Sequence, residues 1–141
     1  TADTFTYASY DGTAQSAAAT VSLTITPVNS PPVVTAVAFT INENDASTFN
    51  LATTSTEPES QSMTYAHTSP TNGSITSFNA ATGEITYTHD GSETTSDTFT
   101  YTAIDADTLS SASGTVTVTL TPVNDKPVIN SSTVLNIGTS K

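Results

Sequence analysis

SDTFTYTAIDAD at residues 96–107, followed by GTVTVTLTPVNDKPV at 114–128, is a slightly altered second copy of ADTFTYASYDG at 2–12 followed by ATVSLTITPVNSPPV at 19–33. Within the second copy Val116, Val118 and Leu120 stand between Thr115, Thr117, Thr119 and Thr121. A period of two is the signature of a strand with one face buried and the other in water. The copies lie about 95 residues apart, and each closes on Pro-Val-Asn and a further proline, the pattern of a tandem array. The expected organisation is therefore 1–27 as the closing strands of a preceding unit, 28–122 as one complete unit, and 123–141 as a linker with the first strand of a following unit.

Turn residues cut the chain into short pieces at the spacing of a sandwich. Strands are expected near 3–9, 19–26, 33–41, 47–53, 62–68, 74–79, 84–89, 97–104, 114–121 and 127–137. The central seven predict an all-β, Ig-like Greek-key β-sandwich. Residues 73–79 and 84–89 flank Ala80-Ala81-Thr82-Gly83, a hairpin with a glycine available for positive φ. The expected core is Phe49, Leu51, Met63, Tyr65, Ile75, Phe78, Ile85, Tyr87, Phe99, Tyr101, Val116, Val118 and Leu120, with the tyrosine hydroxyls reaching its edge. The linkers Val28–Pro32 and Val123–Pro127 are stiffened by the fixed φ of proline.

The chain carries thirteen acids against two lysines and no arginine, a formal charge of −11. Nucleic acid, anionic membrane surfaces and phosphorylated ligands all want clustered cations, so none is an expected partner, whereas divalent cations are. Cysteine is absent, which leaves no disulfide, thiol chemistry or thiolate metal site. Ser and Thr together make up roughly a third of the residues, and the longest apolar run is far too short for a membrane-spanning helix, so no direct membrane insertion is expected.

Asp97–Asp105, the Thr-Val strand at 115–121 and Pro122-Val123-Asn124-Asp125-Lys126-Pro127-Val128 together resemble the cadherin-like tandem repeats of giant bacterial surface adhesins and extracellular fibres. The likeness covers essentially the whole chain. It implies a secreted or cell-surface location and calcium bound where consecutive repeats meet. It also implies the ligands: an acid ending the first strand, a paired-acid turn, an acid closing the sixth strand, and the Asn-Asp of the linker. Those positions are matched by Glu43, by Glu57 and Glu59 around Pro58, by Asp105 with Asp11 as its counterpart in the earlier unit, and by Asn124 and Asp125. At the first junction only Asn29 matches, because Ser30 stands where the acid would be. Asp90, Glu93 and Asp97 precede the sixth strand, where related modules offer a further carboxylate.

The chemistry agrees with the resemblance. Ca2+ takes six to eight oxygens in an irregular shell, and carboxylates from strand ends and a linker can supply them. Without the ion the same charges repel over a Debye length of about 8 to 10 Å, so the junction should be loose when empty and stiff when filled. Acids scattered over a sandwich are otherwise a solvated face, and Asp107 reads as part of an exposed turn.

His67 and His89 lack metal-ligand spacing and are expected on strands with a polar face outward. The two histidines fall in separate strand patterns without an evident orienting acid, and no aromatic platform or Trp accompanies a carboxylate pair, so no enzymatic activity is expected. The threonine ladder at 115–121 is a soluble, strand-favouring face that could also contact glycan or ice or carry O-linked glycans. Asn72-Gly73-Ser74 and Asn130-Ser131-Ser132 match a glycan-acceptor pattern, though Asn72-Gly73 is equally a turn dipeptide. The two strands in 1–27 and the one near 128–137 are apolar on one side, and they are completed either by adjacent repeats head-to-tail or by neighbouring copies in a fibre through strand addition. The function expected is a structural spacer in adhesion, biofilm or fibre formation; the alternative is a glycan- or ice-binding module using a sheet face or loop tips.

Overall fold

The computed structural model describes residues 2–127 and contains eleven strands among them, so the chain is all-β as expected. Seven strands form the two main sheets of a sandwich. One sheet has the order β4 (Val37–Asn42), β11 (Gly114–Thr121), β10 (Ser96–Ile104), β7 (Thr64–His67), and the other has β5 (Ala46–Asn50), β9 (Glu84–His89), β8 (Gly73–Phe78). β4 runs parallel to β11, with Val37 beside Val116 and Asn42 beside Thr121, while every other pairing is antiparallel.

The strand expected over 33–41 is broken. Its first residues, β3 (Val33–Val34), pair with β6 (Ser55–Thr56) as a separate two-stranded ribbon, and only after Thr35 and Ala36 does the chain join β11. The break is pinned from the core. The Tyr101 hydroxyl donates to the Thr35 carbonyl at 2.7 Å and lies 2.8 Å from Thr54 Oγ1, while Thr35 N–H donates to the Thr54 carbonyl at 3.0 Å. Thr54 closes the short 3-10 turn Leu51–Thr54, which Asn50 caps by accepting from Ala52 N–H.

Period-two alternation places the core between the sheets. In β11 the buried residues are Gly114, Val116, Val118 and Leu120, and the threonines between them face outward. Ring packing joins the layers: Phe39 and Phe49 are 4.8 Å apart, and Tyr87 stacks on Phe99 at 6.3 Å with 7° between ring planes. All thirteen residues expected inside are buried or packed against the buried cluster, and Ala103 joins them. The hairpin at 73–89 forms with Gly83 at φ +75°. Gly73 serves a different need, since a Cβ there would lie 2.6 Å from the Thr88 carbonyl and 2.7 Å from the Tyr87 ring.

β1 (Ala2–Tyr7) and β2 (Ala19–Thr24) form a separate hairpin in which Phe5 faces Val21 and Tyr7 faces Ala19, the same register in which Phe99 faces Val116 and Tyr101 faces Gly114. Phe5, Tyr7 and Leu23 remain about half exposed on it. The strand expected near 127–137 and the Asn130 acceptor pattern lie outside the described residues.

The inward row of β10 is Asp97, Phe99, Tyr101 and Ala103, and Asp105 continues it just past the strand, so the apolar row has an aspartate at each end. Asp97 is 4% exposed and its carboxylate is satisfied within the domain. Oδ1 accepts from Thr71 N–H at 3.1 Å and Thr98 N–H at 2.8 Å, and Oδ2 from Asn72 N–H at 2.9 Å and the Tyr87 hydroxyl at 3.0 Å. The Asn72 amide, the side chain of the acceptor pattern, donates to the Ser96 carbonyl in the same loop.

Replacing Asp97 with Ala leaves these donors without an acceptor. The expected loss is about 3 kcal/mol, read from urea unfolding in the absence of calcium. Burial raises the Tyr87 phenol well above the usual value near 10, helped by its hydrogen bond to Asp97, and burial also raises Tyr65. A phenol held neutral in the fold but free to ionise when unfolded contributes fully below about pH 10 and loses that contribution as pH climbs above it. Stability measured between pH 8 and 11.5 should therefore hold and then fall, and Tyr87→Phe should flatten the fall.

Candidate metal centre

β4 and β11 run side by side and end together, so the chain enters the sandwich at one end and leaves at the other. Between those ends lies β10, nine residues and roughly 30 Å of strand. The acids singled out in the sequence divide accordingly.

At the trailing end Glu43 follows β4, its N–H bonded to the Thr121 carbonyl at 3.0 Å. Three carboxylates gather there: Glu43, Glu93 and Asp125 each offer an oxygen within 4.8 Å of the others. Glu43 is only 2% exposed, and neither of its oxygens has a hydrogen-bond partner. A buried carboxylate without a partner is costly, and two further acids beside it raise that cost. Lys126, the one lysine among the described residues, forms no ion pair with them. The arrangement fits a hard divalent cation. Oxygens bound at about 2.3 to 2.6 Å can stand up to roughly 5 Å apart across the ion, which accommodates the observed cluster. Asn124 stands next to this group, but its side-chain amide donates to the Asp125 carbonyl at 3.2 Å.

The turn that presents Glu43 is fixed by its own hydrogen bonds. Asn44 takes φ +63°, Asp45 N–H donates to the Asn42 carbonyl, and the Asn42 amide donates to the Asp45 carboxylate at 3.0 Å. Asn44 also packs close against Gly91, at φ +82° on the loop that carries Glu93. Asp90 on that loop is exposed, and the hydroxyl and N–H of Ser92 hold its carboxylate below the usual range.

The leading end holds Asn29, Glu57, Glu59, Asp105, Gln61 and Asp107. The Asn29 amide donates to Asp105 Oδ2 at 2.7 Å, tying the linker to the end of β10, while Asp105 Oδ1 accepts from Leu109 N–H at 2.8 Å. Gln61 Nε2 donates to Asn29 Oδ1 at 3.0 Å and Asp107 Oδ2 at 2.9 Å, and its N–H donates to Glu57 Oε2. Ser30 N–H donates to Glu59 at 3.2 Å, so the residue that replaces the linker acid still reaches the paired turn through its backbone. Glu57 Oε1 and Gln61 Oε1 are buried without partners.

Gln61 carries no sequence signal that could have drawn attention to it. Asp107, read as an exposed turn, is exposed yet joined to this group. Asp97 is brought into neither cluster, its oxygens being committed as described. Asp11, on the β1–β2 hairpin, is exposed; the N–H groups of Ala14 and Thr13 bond to it and hold its carboxylate below the usual range. His67 packs edge-on against Phe78 at 4.6 Å. His89, expected to face outward, is 4% exposed because it continues the inward row of Ile85 and Tyr87.

Among solved structures, endo-fucoidan hydrolase MfFcnA4 of glycoside hydrolase family 107 is similar to this chain, with a TM-score of 0.52 and 19% identity over 87% of the chain. The human desmocollin-1 ectodomain is similar with a TM-score of 0.50 and 18% identity over 81% of it. This chain spans 19% of the hydrolase and 23% of the ectodomain, so the likeness is one of fold. No curated protein sequence matches. Residues 29–122, the greater part of the chain and all of the sandwich, match the model of the bacterial cadherin-like domain, and the chain belongs to that family of extracellular adhesion-type modules.

Proposed function

We propose that the sandwich is a non-catalytic spacer in a giant bacterial surface adhesin or extracellular fibre, repeated head-to-tail and stiffened by calcium where repeats meet. The observation that carries the reading is the Glu43 carboxylate, buried and unpartnered beside Glu93 and Asp125. In an array, the trailing cluster of one repeat faces the leading cluster of the next, and the linker runs between them. Glu43, Glu93 and Asp125 would hold the ion from one side; Asn29, Glu57, Glu59 and Asp105 mark the positions that the following repeat would bring from the other. Asn124 and Asp11 belong to the same two kinds of junction by their place in the repeat.

The ion supplies positive charge and fixed coordination geometry at the hinge. The residues supply the rest: Glu43 is held in place by the β4–β11 ladder, and Asp105 and Asn29 bind the linker to the sheet. With the charges neutralised the linker has one favoured direction, and repeats add length in a line. This serves adhesion or biofilm formation by setting the distance and stiffness between a cell and what it holds. The exposed threonines keep the faces soluble and are open to O-linked glycans.

Calcium at about 100 times its dissociation constant should stabilise the domain by roughly 2.7 kcal/mol, and a chelator should remove that gain. For a domain of this size the shift in Tm is about 10 to 20 °C. Glu43→Gln should abolish most of it while leaving the chelated Tm unchanged or raised. A chain whose Tm and small-angle scattering profile are the same with calcium and with chelator would overturn the reading.

A further inference from the structure

The Nδ1 atom of His89 is a point at which hydrogen bonds from both loops of the trailing cluster meet. It accepts from Asn44 N–H at 3.3 Å and from Gly91 N–H at 3.2 Å. Asn44 follows Glu43 directly, and Gly91 lies two residues before Glu93. On the other side of the ring, Nε2 lies 3.2 Å from the Oγ1 of Thr94, the residue after Glu93, and Thr94 Oγ1 is 3.2 Å from the Ser92 hydroxyl. Two N–H groups aimed at Nδ1 require a lone pair there, so the ring proton sits on Nε2, which faces Thr94 Oγ1 and, at 3.6 Å, the Oδ1 of Asp90. His89 N–H closes the same group by donating to the Asp45 carbonyl at 3.1 Å.

From this geometry we infer that His89 is a positioning residue for the cation site: its Nδ1 clamps the turn bearing Glu43 to the loop bearing Glu93 and sets the separation of their carboxylates. The inference rests on the calcium reading above. Besides the backbone bond from His89 to Asp45 and the packing of Asn44 against Gly91, the imidazole gives the two loops a shared hydrogen-bond acceptor. β5 and β9 part at Ala46 and Thr88, so the ladder ends before either acid is reached. Asn44 and Gly91, both at positive φ, give their loops the shape but no hydrogen bond between them. The imidazole spans that gap from inside the sandwich, where burial at 4% exposure fixes its rotamer. Like-charged carboxylates within 4.8 Å of one another repel, and a rigid acceptor behind both loops keeps them together before the ion arrives.

The test uses two amide variants that differ in which ring nitrogen they imitate. His89→Asn places a carbonyl oxygen at the Nδ1 position, whereas His89→Gln reaches the Nε2 position and leaves the Asn44 and Gly91 N–H groups without an acceptor. Calcium is titrated calorimetrically into the whole chain, with Glu43→Gln as control, and amide hydrogen exchange is followed in chelator. Wild type and His89→Asn should bind with dissociation constants within a few-fold of each other and protect the Asn44 and Gly91 amides. His89→Gln should bind about 10- to 100-fold more weakly at the trailing site and lose that protection, although it remains folded by circular dichroism.

Equal affinity for His89→Gln and wild type, whatever the change in Tm, would reduce His89 to a packing residue and overturn the inference. A wild-type chain that takes up no calcium, or that binds equally well as Glu43→Gln, would instead remove the calcium reading on which the inference stands. If His89→Gln fails to fold, His89→Asn decides alone: retained affinity with protected amides upholds the clamp, and lost affinity in a folded protein overturns it.

Discussion

The side-by-side ending of β4 and β11 is the constraint from which the rest of the molecule follows. Their parallel pairing carries the chain in at one end of the sandwich and out at the other, with Glu43 bonded to Thr121 where both strands stop. Because β10 lies against β11 in the opposite direction, Asp97 near its start falls at the end where β11 finishes, and Asp105 just past its finish falls at the other. Their fates differ accordingly. Asp97 is enclosed by backbone amides and the Tyr87 hydroxyl and closes a loop, whereas Asp105 turns one oxygen to its own loop and the other to the incoming linker.

The electrostatic character of the two ends follows from what the chain lacks. Two lysines cannot offset thirteen acids, so carboxylates brought together by the fold have no internal counter-charge to take. At the leading end amides fill part of the need: Asn29 and Gln61 between them reach Asp105, Asp107 and Glu57. At the trailing end Glu43 has no such neighbour, and its two oxygens stay unpartnered in a buried position. This contrast leaves the trailing end the more poorly compensated of the two.

Much of the sandwich was legible in the sequence because Thr and apolar residues alternate along β11 and the middle of β10, and because the repeat shows that pattern twice. The break at Thr35 was not, since which sheet the first strand joins depends on the free edge at Ser55–Thr56 and on a tyrosine hydroxyl sixty-six residues away. His89 was misjudged although the signal existed: counting by twos from Ile85 and Tyr87 puts it inside, and only the polarity of the residue argues otherwise. Among the acids, sequence placed Glu43, Glu57, Glu59 and Asp105 at loop junctions but could not sort them to ends, because that needs the strand directions. Gln61 was invisible, being an uncharged residue in a run with no periodicity, and its importance appears only through the partners of its amide.

The pairing of β4 with β11 also fixes how the module would meet a pull. Tension applied through the two linkers draws these neighbours lengthwise past each other along a ladder of six register pairs, Val37–Val116 to Asn42–Thr121. Load of that kind is shared among all the rungs, which must yield together, whereas a hairpin hauled open from one end gives way one rung after another. A sandwich threaded in this way is suited to withstand drag before it unravels, and that resistance belongs to the topology of the backbone alone, independent of any ion at its ends.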